Sequence, residues 1–326
     1  MVPTASPDAS SISASRRSRP SPRSAKASRT SRSPGSGRAP KPSIVLTPSA
    51  LRALAARHDI RPRKSLGQHF LIEPVLARRI AELSGAKAGT RVLEIGAGLG
   101  SLTVALARTG ADVLAMEVDP RLIPALREAV SGFERVRVIE GDAMRTEWPS
   151  LLRGDGWVVV ANLPYNVAVP VVMGILQDAP TVDRMLVMVQ REVGERLAAG
   201  PGDARYGAVS VRVAFRAEAR VIRSVSRSVF WPVPNVDSVL VSILRRPSGV
   251  TVDEPALWRT IQSAFGQRRK SMRGALRRLG FEPDRAAAVL GECGLSPLAR
   301  PEELGLRDFA CIAAHLEASP GKPNAR

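Results

Sequence analysis

A chain of 326 residues, 44% of them hydrophobic, can bury a sizeable core in one large or two moderate domains. Its 48 Lys and Arg against 30 Asp and Glu give a net charge of +18, which favours a polyanionic partner such as nucleic acid over a merely solvated basic surface. Two cysteines and three histidines argue against a disulfide framework and a zinc cluster, in keeping with a reducing compartment, and no apolar run reaches the length of a membrane span.

Residues 1–45 hold nine basic side chains and one acid among Ser, Pro and Ala without periodicity, so they are expected to be disordered. An organellar transit peptide, an RNA-gripping tail and a misassigned start codon are all compatible with that make-up. A helix is predicted next, where Thr47 can cap, Pro48 suits the first position, and Leu51, Leu54 and Ala55 recur at helical spacing. From Thr90 a strand–helix rhythm follows, with apolar runs beginning near Arg91, Asp112, Val136, Trp157 and Arg184. Such runs alternating with helices indicate a parallel sheet covered on both faces. AVSVRVAFRAEARVIRSV and SVLVSILRR read as two further strands, closing the sheet edge as an antiparallel pair. After about Thr251 the strands stop, and three or four helices make a small C-terminal domain over 251–326, beside a catalytic domain over 46–250.

In open parallel sheets ligands sit outside the carboxyl ends of the strands. The first run ends in Gly96-Ala97-Gly98-Leu99-Gly100, glycines that let the backbone pass close to a ligand and present N–H groups at a helix start. Ser101 stands where a dinucleotide fingerprint needs its third glycine, so the turn suits a ligand without a pyrophosphate, such as S-adenosyl-L-methionine. Glu117, 21 residues beyond Gly96, ends the second run and can take both hydroxyls of a ribose; Asp142 ends the third and can accept from an adenine amine.

The fourth run ends in Asn162-Leu163-Pro164-Tyr165. An exocyclic adenine amine is a poor nucleophile because its lone pair is delocalised into the ring. Two acceptors aimed at its hydrogens, the Asn162 amide oxygen and the Leu163 or Pro164 carbonyl, favour pyramidalisation. Pro164 restricts the preceding residue to an extended conformation. Tyr165 offers a face on which an extruded base can stack, worth about 1–3 kcal/mol. Catalysis is then chiefly positioning for in-line attack on the sulfonium methyl.

With these motifs the chain resembles the ribosomal RNA adenine N6-dimethyltransferases, most closely their bacterial small-subunit branch, over about 270 residues from near His58. Lys64-Ser65-Leu66-Gly67-Gln68-His69-Phe70-Leu71 is similar to the family's N-terminal motif, and Asn162 to Tyr165 to its adenine-methylating motif. Val189 to Val193 and Tyr206-Gly207 match the stretch after the fifth strand. Phe230-Trp231-Pro232-Val233-Pro234-Asn235-Val236-Asp237-Ser238 matches a further signature, and Phe265 to Arg273 the start of the C-terminal domain.

The resemblance implies a Rossmann-like α/β S-adenosyl-L-methionine-dependent methyltransferase sheet with a small C-terminal α-helical domain that binds RNA. It also implies cofactor contacts by His69, Leu71, Gly96, Glu117, Asp142 and Asn162, and a Phe230 that covers the flipped adenine opposite Tyr165. Arg269, Arg273 and Arg277, spaced i, i+4, i+8 on one predicted helix face, become phosphate contacts on this reading. The implied reaction is dimethylation of two adjacent adenosines near the 3′ end of 16S ribosomal RNA within the 30S precursor, using four cofactor molecules. The expected protein is a cytoplasmic monomer without a metal. A large-subunit adenine methyltransferase conferring macrolide resistance and a non-catalytic RNA-binding assembly factor are the competing readings.

Overall fold

The computed structural model describes residues 46–63, 66–267 and 270–317; the basic segment 1–45, Lys64, Ser65, Arg268, Arg269 and residues 318–326 lie outside the described residues. Helix α1 (Pro48–Arg57) begins as its sequence leads one to expect. The Thr47 hydroxyl accepts the Ala50 N–H at 3.2 Å, and Leu51, Leu54 and Ala55 are buried. A short strand β1 (Phe70–Leu71) and helix α2 (Pro74–Leu83) follow.

Strands and helices then alternate: β2 (Arg91–Ile95), α3 (Ser101–Ala107), β3 (Asp112–Glu117), α4 (Ile123–Val130), β4 (Val136–Glu140), α5 (Trp148–Leu151), β5 (Trp157–Asn162), α6 (Ala168–Asp178) and β6 (Val182–Gln190). Four of these five strands begin on the residue where the apolar runs place them, and β6 begins two residues earlier. Beyond them come α7 (Arg191–Ala198), α8 (Ala208–Arg216), β7 (Ala217–Val225), β8 (Phe230–Trp231) and β9 (Ser238–Arg245). Four helices complete the described chain: α9 (Glu254–Gly266), α10 (Met272–Arg278), α11 (Pro283–Glu292) and α12 (Leu306–Glu317).

The main sheet has the order β4-β3-β2-β5-β6-β9-β7, its first five strands parallel and β9 antiparallel to both neighbours. Successive residues of a strand point to opposite faces. Val92, Val158 and Val160 accordingly enter one core, while Leu93, Val159 and Ala161 enter the other. Both faces are covered, as near-continuous apolar strands require. A third core gathers α9 to α12 around Phe309, Leu276 and Leu257, and takes in Tyr206, Val211 and Phe215. Among the described residues no helix is long and apolar enough to cross a membrane.

Two expectations are corrected, and a third falls partly outside the described residues. Of the run AVSVRVAFRAEARVIRSV only AEARVIRSV extends the sheet, as β7 beside β9, while AVSVRVAFR, predicted as strand, is helix α8. Its alternating valines read as a strand, but Ser210 overrides them: its hydroxyl accepts the Gly207 N–H and donates to the Arg196 carbonyl at 2.6 Å, starting a helix packed against α6, α7 and α9. Of the predicted Arg269, Arg273, Arg277 stripe, Arg273 and Arg277 lie on α10. Gln267 leaves helical geometry at φ −139°, α10 starts only at Met272, and Arg269 is outside the described residues. Finally, Cys293 and Cys311, expected to be unpaired and apart from any ligand cluster, form a disulfide beside His315. Packing of α11 on α12 brings together residues 18 apart in sequence, which spacing alone does not disclose.

Arg245, at the end of β9, ties the sheet to the end of α6. Its guanidinium donates to the Val182, Leu176, Ile175 and Ala179 carbonyls at 2.8–3.1 Å, adding a charged donor to main-chain groups at the end of α6 and the start of β6. Burial lowers its pKa, yet it stays far above neutrality as an arginine. Replacing Arg245 by Met is expected to cost at least about 2 kcal/mol in denaturant unfolding, because several buried carbonyls lose a charged donor together.

Candidate active site

The strands β2, β3 and β5 release their chains at one edge of the sheet, and the glycine turn after β2 lies there. Gly96, Gly98 and Gly100 all take positive φ, at 74°, 58° and 87°. Gly98 is the most constrained. A Cβ there would meet the Phe70 ring at 3.0 Å, and its N–H donates to Glu117 Oε2 at 2.8 Å. Oε1 of the same carboxylate accepts from the Val118 and Asp119 N–H groups, both at 3.0 Å. Burial raises the Glu117 pKa, opposed by these three donors.

The N-terminal motif crosses over this edge. The Gln68 amide donates to Asp119 Oδ2 at 2.8 Å, and Asp119 is held in turn by Arg121. Ser101 donates to the Leu71 carbonyl, fastening β1 to the start of α3. His69 Nδ1 lies 2.7 Å from the Pro232 carbonyl, so that nitrogen carries the proton. Together these segments wall a cleft of about 740 Å³, counting the part open to solvent. His69, Leu71, Gly96, Glu117, Asn162, Leu163, Pro164 and Tyr165 all line it.

Asn162 donates its amide to the His69 carbonyl at 3.0 Å, which fixes the side chain and leaves Oδ1 as an acceptor. The Pro164 carbonyl accepts the Val167 N–H at 3.2 Å and closes the turn toward α6. Tyr165 has its hydroxyl 3.3 Å from Ser238 and its ring against His69, centroids 5.6 Å apart at 25°. Burial pushes the Tyr165 pKa up, so the phenol is neutral throughout the physiological range.

Two residues predicted for the site do not line the cleft. Asp142 is bent back on its own turn, accepting the Met144 N–H at 2.9 Å with Arg145 3.7 Å away. Phe230 is only 1% exposed and belongs to the core under β1 and β8, opposite Leu71. A two-residue strand sends one side chain in and the other out. Phe230 goes inward, and Trp231 is left half-buried against Phe70.

The sequence reading did not single out Glu94 or Val118, which also line the cleft. Val118 is an exposed apolar residue immediately after the Glu117 strand end, a placement that could have marked it. Glu94 is 1% exposed, and its Oε2 has no hydrogen-bond partner among the described residues. Burial raises its pKa to about 8, with a lesser contribution from repulsion by Glu117.

These features suit S-adenosyl-L-methionine. Glu117 is placed for a diol, the glycine turn leaves room for a nucleoside, and the orphaned Glu94 oxygen can accept from a cationic ammonium. A parallel sheet that holds a nucleoside-bearing methyl donor at one strand end, and an amine acceptor site at the next but one, defines a Rossmann-like S-adenosyl-L-methionine-dependent methyltransferase. The pattern of the family described as ribosomal RNA adenine dimethylase matches residues 60–298, and the chain belongs to that family.

Ribosomal RNA small subunit methyltransferase A of Thermobifida fusca is 46% identical over 278 residues, covering 83% of this chain and 96% of that protein. The protein of the same name from Streptomyces avermitilis is 42% identical over 286 residues, covering 86% and 96%. Among solved structures, a dimethyladenosine transferase from Plasmodium falciparum superposes with a TM-score of 0.67 at 25% identity, over 77% of this chain and 98% of that one. The 23S rRNA methyltransferase ErmE superposes with a TM-score of 0.61 at 26% identity, over 76% and 99%.

The raised Glu94 pKa has a defined effect on stability. A carboxyl group with an unfolded value near 4.5 and a folded value near 8 contributes stability that is fully present below 4.5 and lost as pH rises through 8. Glu94→Gln removes that dependence. In the cofactor-free protein the variant is expected to gain about 1–3 kcal/mol over the wild type at about pH 9, with little difference at about pH 5, in parallel denaturant titrations.

Proposed function

We propose that this methyltransferase dimethylates N6 of two adjacent adenosines near the 3′ end of 16S ribosomal RNA, acting as a cytoplasmic monomer on the 30S precursor. The small-subunit name shared by the relatives above supports the choice of RNA. The observation that carries the chemistry is the fixed Asn162 amide, whose donor is used by His69 and whose Oδ1 is left to accept.

The target adenine leaves its helix and stacks on Tyr165, on the ring face turned away from His69. Asn162 Oδ1 accepts one hydrogen of the exocyclic amine. The Leu163 or Pro164 carbonyl is the main-chain acceptor for the other, the Pro164 oxygen already using one lone pair for the Val167 N–H. With both hydrogens held, the nitrogen lone pair is turned toward the cofactor. Bound S-adenosyl-L-methionine supplies a sulfonium-activated methyl group. Glu117 and the backbone at Gly96 and Gly98 position its nucleoside. The chain's contribution is orientation within the cleft, and the released proton passes to solvent, so no dedicated base is required. Phe230 supports the Leu71 ribbon from below instead of contacting the base.

The C-terminal helices supply the wider RNA grip. Arg273 and Arg277 lie on α10, and phosphate contacts from them place the catalytic edge on its target.

Asn162→Ala is expected to lower the methyl-transfer rate at least about 100-fold while RNA affinity stays near wild type, because the reacting amine loses its acceptor. Unchanged turnover would remove Asn162 from the mechanism. With purified particles as substrates, label is expected in 30S and not in 50S precursors; incorporation into 50S alone would overturn the substrate assignment. The double replacement of Arg273 and Arg277 by Ala is expected to reduce the slope of log affinity against log salt by about two for RNA binding.

A further inference from the structure

Far along the chain from the catalytic edge, α11 and α12 bring a different set of groups together. Cys293 follows α11 directly, and Cys311 and His315 lie one turn apart on α12. Both sulfurs and a ring nitrogen of His315 lie within 4.8 Å of one another, and all three side chains are half-buried. Glu292 adds a carboxylate, its Oε2 3.4 Å from His315 Nδ1. Arg285 closes the group, bonding Glu292 Oε1 at 2.5 Å and lying 3.4 Å from the same imidazole nitrogen.

A disulfide needs no imidazole against its sulfurs. Two sulfurs, one imidazole and a neighbouring carboxylate are instead the donor set of a tetrahedral zinc site, whose ligands stand roughly 2.0–2.3 Å from the ion. We propose that Cys293, Cys311 and His315 form a thiol-dependent binding site for a divalent metal of the zinc class, with Glu292 as the fourth ligand. The disulfide and the metal exclude each other, since each uses the same two sulfurs.

The interconversion balances. Two molecules of a monothiol reductant give two electrons and two protons to the Cys293–Cys311 bond and leave as their own disulfide. The resulting dithiol releases both protons as the metal binds two thiolates. Two thiolates neutralise the dication, and Arg285 offsets the added charge of Glu292. Zinc suits the site over magnesium or calcium because thiolate and imidazole are soft or borderline ligands.

Either bond closes the chain between residues 293 and 311. Within that segment the Leu304 carbonyl accepts the Tyr206 hydroxyl at 2.7 Å, and the Glu302 carbonyl accepts the Gly202 N–H at 2.8 Å. The metal therefore keeps the helical C-terminal part seated on the segment before α8 under conditions that reduce the disulfide.

Titration of the reduced full-length chain with Co2+ under anaerobic conditions tests this. The expected result is one ion per chain, with thiolate-to-cobalt charge-transfer absorption and tetrahedral d–d bands, displaced by one equivalent of Zn2+. Cys311→Ser is expected to abolish the charge-transfer band, and His315→Ala to weaken Zn2+ binding at least about tenfold. Alkylation of the wild-type thiols provides a measurement without variants: one equivalent of Zn2+ should slow iodoacetamide labelling of both cysteines at least about tenfold. Absence of the charge-transfer band in the reduced wild type, its survival in Cys311→Ser, or labelling indifferent to Zn2+ would each overturn the site.

Discussion

Parallel pairing of β3, β2 and β5 is the constraint on which the catalytic edge depends. Ile95 stands level with Met116 on one side and Ala161 on the other, so the next residue of each strand emerges at the same height. Gly96, Glu117 and Asn162 thus reach one edge without any of them needing an unusual conformation beyond the positive φ that glycine takes freely. The site is a consequence of register: a one-residue slip of β5 would carry Asn162 to the opposite face.

The edge is completed by a segment far from it in sequence order. Gln68, His69 and Leu71 reach the cleft because β1 pairs with β8, and because Asp119 and Ser101 hold that ribbon from the sheet side. The exchange is reciprocal. His69 gives its carbonyl to Asn162 and its ring to Tyr165, so the groups proposed to meet the base are oriented by the same loop that covers the cofactor cleft. The buried Glu94 carboxyl, raised to about 8, is the electrostatic cost of that enclosure, and a cationic ligand is what would relieve it.

The helical C-terminal part is bound to the sheet by side chains from before β7. Tyr206 and Phe215 enter its core, and the Tyr206 hydroxyl bonds the Leu304 carbonyl. Burial pushes the Tyr206 phenol above its ordinary range, which keeps it a neutral donor in that role. The Cys293–Cys311 pair closes the same segment from its other end, so two independent ties hold one loop.

The sequence by itself determined the five parallel strands, the glycine turn, the acid 21 residues on and the Asn-Leu-Pro-Tyr strand end. Each is a local pattern whose physics, apolar periodicity or turn chemistry, is complete within a few residues. It also carried the N-terminal motif, because adjacent residues there act together. Only the tertiary structure decided the rest. Val-rich 208–216 became a helix because Ser210 and neighbouring helices outweighed β-propensity. Phe230 went to the core because pairing with β1 chose its face. Glu94 entered the cleft although its strand reads as uniformly buried, and Cys293, Cys311 and His315 met because two helices packed. Contacts between residues distant in the chain depend on docking, and docking energy is distributed over whole faces that no short pattern records.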